Sequence, residues 1–170
     1  MYKDVHIEEV AGKILEQLKK GAFLTVKSGD TINTMTIAWG TIGYIWHRPV
    51  FTAMVRPSRY TFDLIEKATS FTVSFPLNDR MRDALNLCGT KSGRHVDKFK
   101  ECGLSLLPGK MVDTPIIDGC DIHLECGILY KSPLHPEQIP VEIKTLYYGT
   151  GDYHVLYSGE ILAVRMKDED

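Results

Sequence analysis

The sequence has 170 residues, of which 44% are hydrophobic and 25% charged, a composition typical of globular domains and unlike that of disordered or collagen-like chains. Twenty Lys and Arg residues against 22 Asp and Glu residues leave a formal net charge of −2. The basic residues form no long tract or helical stripe, so we expect neither a nucleic-acid partner nor an anionic-membrane partner.

No apolar window reaches the ~18 residues of a membrane-spanning helix, and the first residues lack the apolar core of a signal peptide. We therefore expect a cytoplasmic protein. The four cysteines, at positions 88, 102, 120 and 126, form no C-x-x-C pair, so we expect reduced thiols and no metal site.

The first half of the chain predicts one helix followed by strands. Apolar residues recur at near-helical spacing from Val5 to Leu18, and Gly21 ends the pattern, so we predict an N-terminal helix within residues 1–21. Two β-branched runs between residues 22 and 39 flank the turn cluster Ser28-Gly29-Asp30, which predicts a hairpin. The continuous apolar run at residues 49–55 predicts a strand buried on both faces.

The middle of the chain alternates helix and strand signals. Thr61 is the predicted cap of a helix that reaches Ala68. Residues 70–75 alternate apolar and polar side chains, which predicts a half-buried strand. A second helix is predicted from Asn78 to Leu87, followed by a polar connection at residues 90–98 and another short helical stretch.

The last third is predicted to consist of strands at residues 122–126, 143–148 and 155–164. The chain shows no repeat and no long linker, so we expect a single domain over residues 1–170, with a barrel or closed sheet over residues 22–166. The predicted fold class is mainly β, with a few inserted and flanking helices.

Two basic clusters are candidate phosphate contacts. Residues 56–61, Arg-Pro-Ser-Arg-Tyr-Thr, lie between a buried strand and a helix start, where hydroxyls, arginines and helix N–H groups can bind an anion. The alternative is a helix cap with two surface arginines. Residues 89–94, Gly-Thr-Lys-Ser-Gly-Arg, do not form a Walker A motif, and they are either a second anion contact or a flexible basic turn.

Three further segments carry polar side chains. Residues 33–41 offer either an edge for a flat heteroaromatic ligand or hairpin threonines beside a core tryptophan. Residues 149–154 place a histidine in a glycine-rich loop, as an acid, base or cofactor contact, or as an exposed turn residue. Asp121, His123 and Glu125 share one strand face, which we expect to face solvent and not to bind a metal, with Cys126 in the core.

In this order, the segments resemble the flavin reductase-like family of FMN-binding split barrels, and within it the flavoredoxin branch. The resemblance runs from about Thr25 to Val164. It is carried by residues 33–39, 56–61 and 88–99, and by Gly151-Asp152-Tyr153-His154 followed by Gly159-Glu160-Ile161.

The resemblance implies a six-stranded Greek-key barrel that forms a homodimer and holds FMN noncovalently near the subunit interface. It implies isoalloxazine contacts from Asn33, Met35, Thr36 and Trp39. It implies ribityl and phosphate contacts from Arg56, Ser58, Arg59, Tyr60 and Thr61. It also implies that Thr90, Lys91 and Ser92 complete the phosphate site, with Lys98 as a further contributor.

The implied activity is an FMN-dependent oxidoreductase that passes electrons from NAD(P)H to a flavin, ferric or redox-protein acceptor. Related reductases carry Gly-Asp-His in the late loop, associated with the nicotinamide cofactor, and here the candidate catalytic residue His154 is offset by one position. A flavoredoxin-like electron carrier without direct NAD(P)H turnover therefore remains an alternative. A third is a barrel without flavin, whose basic clusters hold some other phosphate.

Overall fold

The computed structural model describes residues 1–77 and 79–168. The strands are β1 Tyr2–Asp4, β2 Ala22–Ser28, β3 Thr31–Ile37, β4 Gly40–Ile45, β5 Arg48–Val55, β6 Ser70–Phe75, β7 Leu106–Leu107, β8 Ile116–Ile117, β9 Ile122–Pro133 and β10 Val155–Lys167. The α-helices are α1 Ile7–Leu18, α2 Tyr60–Ile65, α3 Arg82–Thr90, α4 Lys98–Cys102 and α5 Val141–Tyr147. Short 3₁₀ turns lie at Asp79–Met81 and Pro136–Gln138.

One antiparallel sheet organises the protein, with strand order β3-β2-β6-β9-β10-β5-β4 and β1 paired to β10. The predicted N-terminal helix and the hairpin of β2 and β3 are present, with Gly29 at a positive φ of 58° in the hairpin turn. The sheet has eight strands, whereas six were expected. The two strands of this sheet that the sequence did not predict are β1 and β4, which are short or glycine-containing and give no clear alternation.

Two local expectations were wrong, and a third falls on a residue outside the described ranges. The segment expected as a strand at residues 143–148 belongs to helix α5, in which Ile143, Leu146 and Tyr147 follow the i, i+3, i+4 spacing of one helix face. Thr61 is not a cap, because α2 begins one residue earlier with Arg59 at the N-cap position. The expected start of the next helix, Asn78, lies outside the described residues, and α3 begins at Arg82.

Strand β6 is buried along its whole length, although alternation predicted one exposed face. Residues 114–117 cover that second face. The Thr72 hydroxyl donates to Pro115 O at 2.6 Å, and Ile117 N donates to the Ser74 hydroxyl at 3.2 Å. Its polar side chains are therefore buried and hydrogen-bonded.

The polar face expected at solvent is buried as well, since His123 and Glu125 have no exposed surface. One Glu125 oxygen accepts N–H groups of Lys110 and Met111, both at 2.7 Å. The other lies 2.8 Å from the Arg165 guanidinium. This carboxylate thus ties the loop before β8 to the sheet.

The remaining chemistry-bearing side chains of this region belong to the core. Burial lowers the pKa of His123 to about 3, and Cys126 is fully buried in the core, as expected. All four cysteines are free thiols. Over residues 1–77 and 79–168, no group of three or more potential metal ligands is present. Over the same residues, no helix is long and apolar enough to cross a membrane.

We predict that Glu125→Gln lowers the free energy of unfolding by about 3 to 5 kcal/mol, because it leaves the Arg165 cation without its buried partner. Urea unfolding of both proteins measures the difference. The matched control is Glu137→Gln, whose carboxylate is exposed beside His135. A loss for Glu125→Gln no larger than that of the control would contradict the structural role of this carboxylate.

Candidate functional site

Two adjoining cavities bring together the segments that the sequence singled out. The aromatic cavity, of about 160 Å³, is lined by residues 35–39 together with Met54, Arg56, Arg59 and His154. The basic cavity, of about 210 Å³, lies beside it, and Met35 and Arg59 line both. A single molecule can therefore extend from one cavity into the other.

The basic cavity collects the residues expected at the phosphate from three parts of the chain. Its walls come from β3, from the start of α2, and from the segment between the end of α3 and α4. The residues expected at the phosphate that line it are Ser58, Arg59, Tyr60, Thr61, Thr90, Lys91, Ser92 and Lys98. Asn33 and Met35, which were expected at the isoalloxazine ring, line it as well, and Asn33 does not line the aromatic cavity. Gly93, Arg94 and His95 line it too.

Lys98 is the most unusual residue of this cavity, because a lysine side chain is buried there. Its Nζ donates to the carbonyl oxygens of Thr34 and Cys88, both at 2.9 Å. Burial, with Arg59 nearby, lowers the pKa of Lys98. Within the described part of the chain, no carboxylate forms an ion pair with this ammonium group.

Arg59 and Lys91 add two further cations that lack acidic partners among the residues described. Arg59 Nη1 donates to Gly89 O at 3.1 Å, and Lys91 is exposed at the end of α3. Arg94 differs, since it pairs with Asp63 at 2.6 Å. The cavity therefore presents three cations whose charge is not neutralised by the protein around them.

A close approach between Asn33 and Gly93 shapes the wall between these cations. Asn33 Nδ2 donates to the Thr61 hydroxyl at 2.9 Å. A Cβ at position 93 would lie 2.1 Å from Asn33 Oδ1, so only glycine fits there. The hydroxyls of Thr36 and Thr90 donate to carbonyl oxygens of α3, and these two residues therefore also fix the walls.

The aromatic cavity combines apolar side chains with two rings. Trp39 packs edge-on against Tyr147 at 4.9 Å between ring centroids and lies 5.4 Å from the His154 ring. Met54, on β5, completes the apolar lining. Sequence reasoning missed Met54, because periodicity does not distinguish the two faces of a strand that is largely buried on both.

Arg56 and Ser58, which follow β5, hold the loop between α5 and β10, residues 148–154, beside this cavity. We call the hydrogen bonds of these two residues to that loop and to Tyr147 the loop clamp. Arg56 donates to the carbonyl oxygens of Tyr147 and Asp152 at 2.9 and 3.0 Å. The backbone N–H and hydroxyl of Ser58 donate to the Asp152 carboxylate at 3.1 and 2.6 Å. Arg56, expected at the phosphate, lines the aromatic cavity and not the basic one.

His154 is buried at the edge of the aromatic cavity, where an exposed turn residue had been the alternative. Its Nδ1 lies 2.7 Å from the Tyr148 hydroxyl. Burial, together with the nearby Arg56 guanidinium, lowers the pKa of His154 to about 4, so the imidazole is neutral at pH 7. Asp152 belongs to the segment 151–154 that carries the resemblance, although its contact with Ser58 was not expected, and sequence reasoning missed Tyr148.

A model of the flavin reductase like domain matches residues 20–170. The chain belongs to the flavin reductase-like family. An uncharacterised protein of Pyrococcus abyssi is 30% identical over 144 residues, which cover 83% of this chain and 70% of the relative.

Two solved structures show the same split-barrel fold. An FMN-binding protein from Thermus thermophilus, with 1-cyclohex-2-enone bound, is 26% identical, with a TM-score of 0.66 over 85% of this chain and 68% of that one. A flavoredoxin from Methanosarcina acetivorans is 24% identical, with a TM-score of 0.68 over 87% of this chain and 68% of that one. The expected family and mainly β fold are thus confirmed.

Proposed function

We propose that this protein binds FMN, with the phosphate in the basic cavity and the isoalloxazine ring in the aromatic cavity, and acts as an oxidoreductase. The observation that carries the proposal is a set of three basic residues, Arg59, Lys91 and Lys98, without acidic partners in the described part of the chain. They line a cavity that adjoins an apolar, aromatic one. FMN has the same two parts, a dianionic phosphate and a flat heteroaromatic ring.

The electrostatics of the basic cavity favour a phosphate. A buried ammonium group without a counter-ion is costly, and an anion in the cavity offsets that cost. A phosphate monoester carries about −1.5 to −2 charges at neutral pH and accepts several charge-assisted hydrogen bonds. Arg59 lines both cavities, so we place it where the phosphate meets the rest of the cofactor.

The apolar lining of the second cavity suits a planar ring. Met35 and Met54 offer polarisable surface, and Trp39 offers an aromatic edge. A bound flavin supplies hydride and electron transfer, and the protein supplies position and electrostatics. Here the residues of β3 hold the ring, and His154 of the clamped loop lies at its edge.

We propose NAD(P)H as the electron donor and a flavin, a ferric complex or a redox protein as the acceptor. The neutral His154 at the edge of the aromatic cavity supports NAD(P)H as the donor, because its imidazole offers that molecule a polar contact without adding a charge. The alternative is an electron carrier similar to the flavoredoxins. The packing of Trp39 against Tyr147 and His154 favours the electron carrier, since these rings occupy the space beside the aromatic cavity.

We predict that Arg59→Ala weakens FMN binding by about 10- to 150-fold, the loss of about 1.5 to 3 kcal/mol expected when a charged hydrogen bond is removed. Titration monitored by flavin fluorescence measures the affinity. The control is Arg82→Ala, whose guanidinium is exposed beside Asp79 and outside both cavities. Unchanged affinity in Arg59→Ala would place the phosphate elsewhere, and a wild-type protein that takes up no FMN would reject the proposal.

A second prediction separates the reductase from the carrier. FMN-loaded protein is mixed without oxygen first with NADH and then with NADPH, and the flavin absorbance near 450 nm is followed, a wavelength set by the flavin itself. The reductase predicts that at least one nucleotide bleaches the flavin. Colour that persists until dithionite is added would exclude direct use of NAD(P)H and support the carrier.

We further propose that the protein is cytoplasmic, where its four free thiols remain reduced.

We also propose that a second copy of the chain covers helix α5. This helix has no buried residue, and its apolar residues Val141, Ile143, Leu146 and Tyr147 are all exposed. A contiguous apolar surface of this kind is typical of an interface. Because Tyr147 packs against Trp39, the interface would adjoin the aromatic cavity.

We predict that Leu146→Glu converts a dimer into a monomer, because it places a charge at the centre of this apolar face; Leu146 is 72% exposed in the single chain. Size-exclusion chromatography with light scattering gives the mass. Leu15→Glu, at an exposed position of α1, introduces the same change on another helix and should leave the dimer intact. A monomeric wild type would refute the interface.

A further inference from the structure

Tyr148 and His154 form a buried pair at the edge of the aromatic cavity. Tyr148 follows the last turn of α5 and is only 6% exposed. Its hydroxyl lies 2.7 Å from Nδ1 of His154, with the two rings edge to face at 5.7 Å. The hydrogen bond thus joins the two ends of the clamped loop.

The groups around the pair hold both rings in place. The Arg56 guanidinium lies 4.9 Å from the centre of the Tyr148 ring on one side. Tyr153 stacks on the same ring at 4.6 Å. The Asp152 carboxylate is taken up by Ser58, so it does not compete for the imidazole. The Asp152 charge still raises the pKa of His154, and the Arg59 charge lowers it.

The hydrogen-bond inventory decides which nitrogen of His154 carries the proton. A neutral imidazole has one N–H and one acceptor nitrogen. Over residues 1–77 and 79–168, the Tyr148 hydroxyl has no hydrogen-bond partner other than His154. If Nδ1 were protonated, the hydroxyl would accept from it and its own proton would remain buried without an acceptor, which is unfavourable. The hydroxyl therefore donates to Nδ1.

We propose that Tyr148 is a positioning residue that keeps the proton of His154 on Nε2, so that the imidazole donates a hydrogen bond into the aromatic cavity. Nε2 is the ring nitrogen of His154 that Tyr148 does not contact, and His154 lines the cavity. The matching acceptor is a carbonyl oxygen of a planar molecule, a carboxamide or a ring ketone. Only the identity of that molecule rests on the proposed function.

The position of the proton can be measured directly by long-range ¹H–¹⁵N correlation spectra of the histidine rings at pH 7, in protein without flavin. His154→Gln identifies the signals by their loss. We expect wild-type His154 to show an unprotonated Nδ1 and a protonated Nε2. In Tyr148→Phe, we expect the two nitrogen shifts to move toward each other, because both tautomers become populated.

Tyr153→Phe is the matched control, since it removes a hydroxyl from the neighbouring stacked ring and should leave the His154 shifts unchanged. A protonated Nδ1 in the wild type would overturn the inference. So would His154 shifts in folded Tyr148→Phe that equal those of the wild type. If Tyr148→Phe does not fold, the wild-type spectrum still decides, because it reports the tautomer without any substitution.

In FMN-loaded protein, we expect Tyr148→Phe to lower kcat/KM for the hydride donor about fivefold to tenfold, the loss of one oriented hydrogen bond, with FMN affinity unchanged. The spectra use protein without flavin, so a failure to bind FMN would reject the proposed function and leave the tautomer result standing. An unprotonated Nε2 in a protein that does bind FMN would reject the inference alone.

Discussion

Positive charge fixed by carbonyl oxygens, and not by carboxylates, is the interaction on which the candidate site depends. Lys98 is held by the carbonyl oxygens of Thr34 and Cys88, and Arg59 by that of Gly89. A carbonyl group orients a cation through its dipole and leaves the net charge intact, whereas a carboxylate neutralises it. In a chain with a net charge of −2, this arrangement keeps local positive charge available for an anion.

The same choice of partners recurs at the second cavity. Arg56 donates to the carbonyl oxygens of Tyr147 and Asp152. Its positive charge lowers the pKa of His154 further than burial alone does. The loop clamp therefore has two consequences. It fixes where the histidine lies, and it keeps that histidine uncharged beside a cavity that has two methionines in its lining.

Much of the fold and part of the site could be predicted from the sequence, wherever the information is local. The hairpin of β2 and β3, the buried strand β5 and the final strand follow from periodicity and turn residues. Asn33, Arg59 and Ser92 belong to separate motifs that the structure brings to one cavity. The cavity itself also depends on Gly93, whose missing Cβ allows the approach of Asn33.

The errors arise where tertiary contacts override a local pattern. The alternation of β6 predicted a solvent face, but the segment at residues 114–117 covers it. Glu125 resembles a surface residue in sequence and is buried because Arg165 and three backbone N–H groups, of Lys110, Met111 and Val112, contact its carboxylate. Met54 gives no local signal because its strand is largely buried on both faces. Tyr148 gives none because its approach to His154 depends on a loop conformation that Arg56 and Ser58 hold.

The two cavities share Met35 and Arg59 and differ in the rest of their lining. The basic cavity is lined by residues of β3, the start of α2 and the segment from α3 to α4. The edge of the aromatic cavity comes from the clamped loop before β10. Ser58 links the two regions, because it lines the basic cavity and also donates to the Asp152 carboxylate of that loop. A carrier and a reductase can share this fold and its basic cavity.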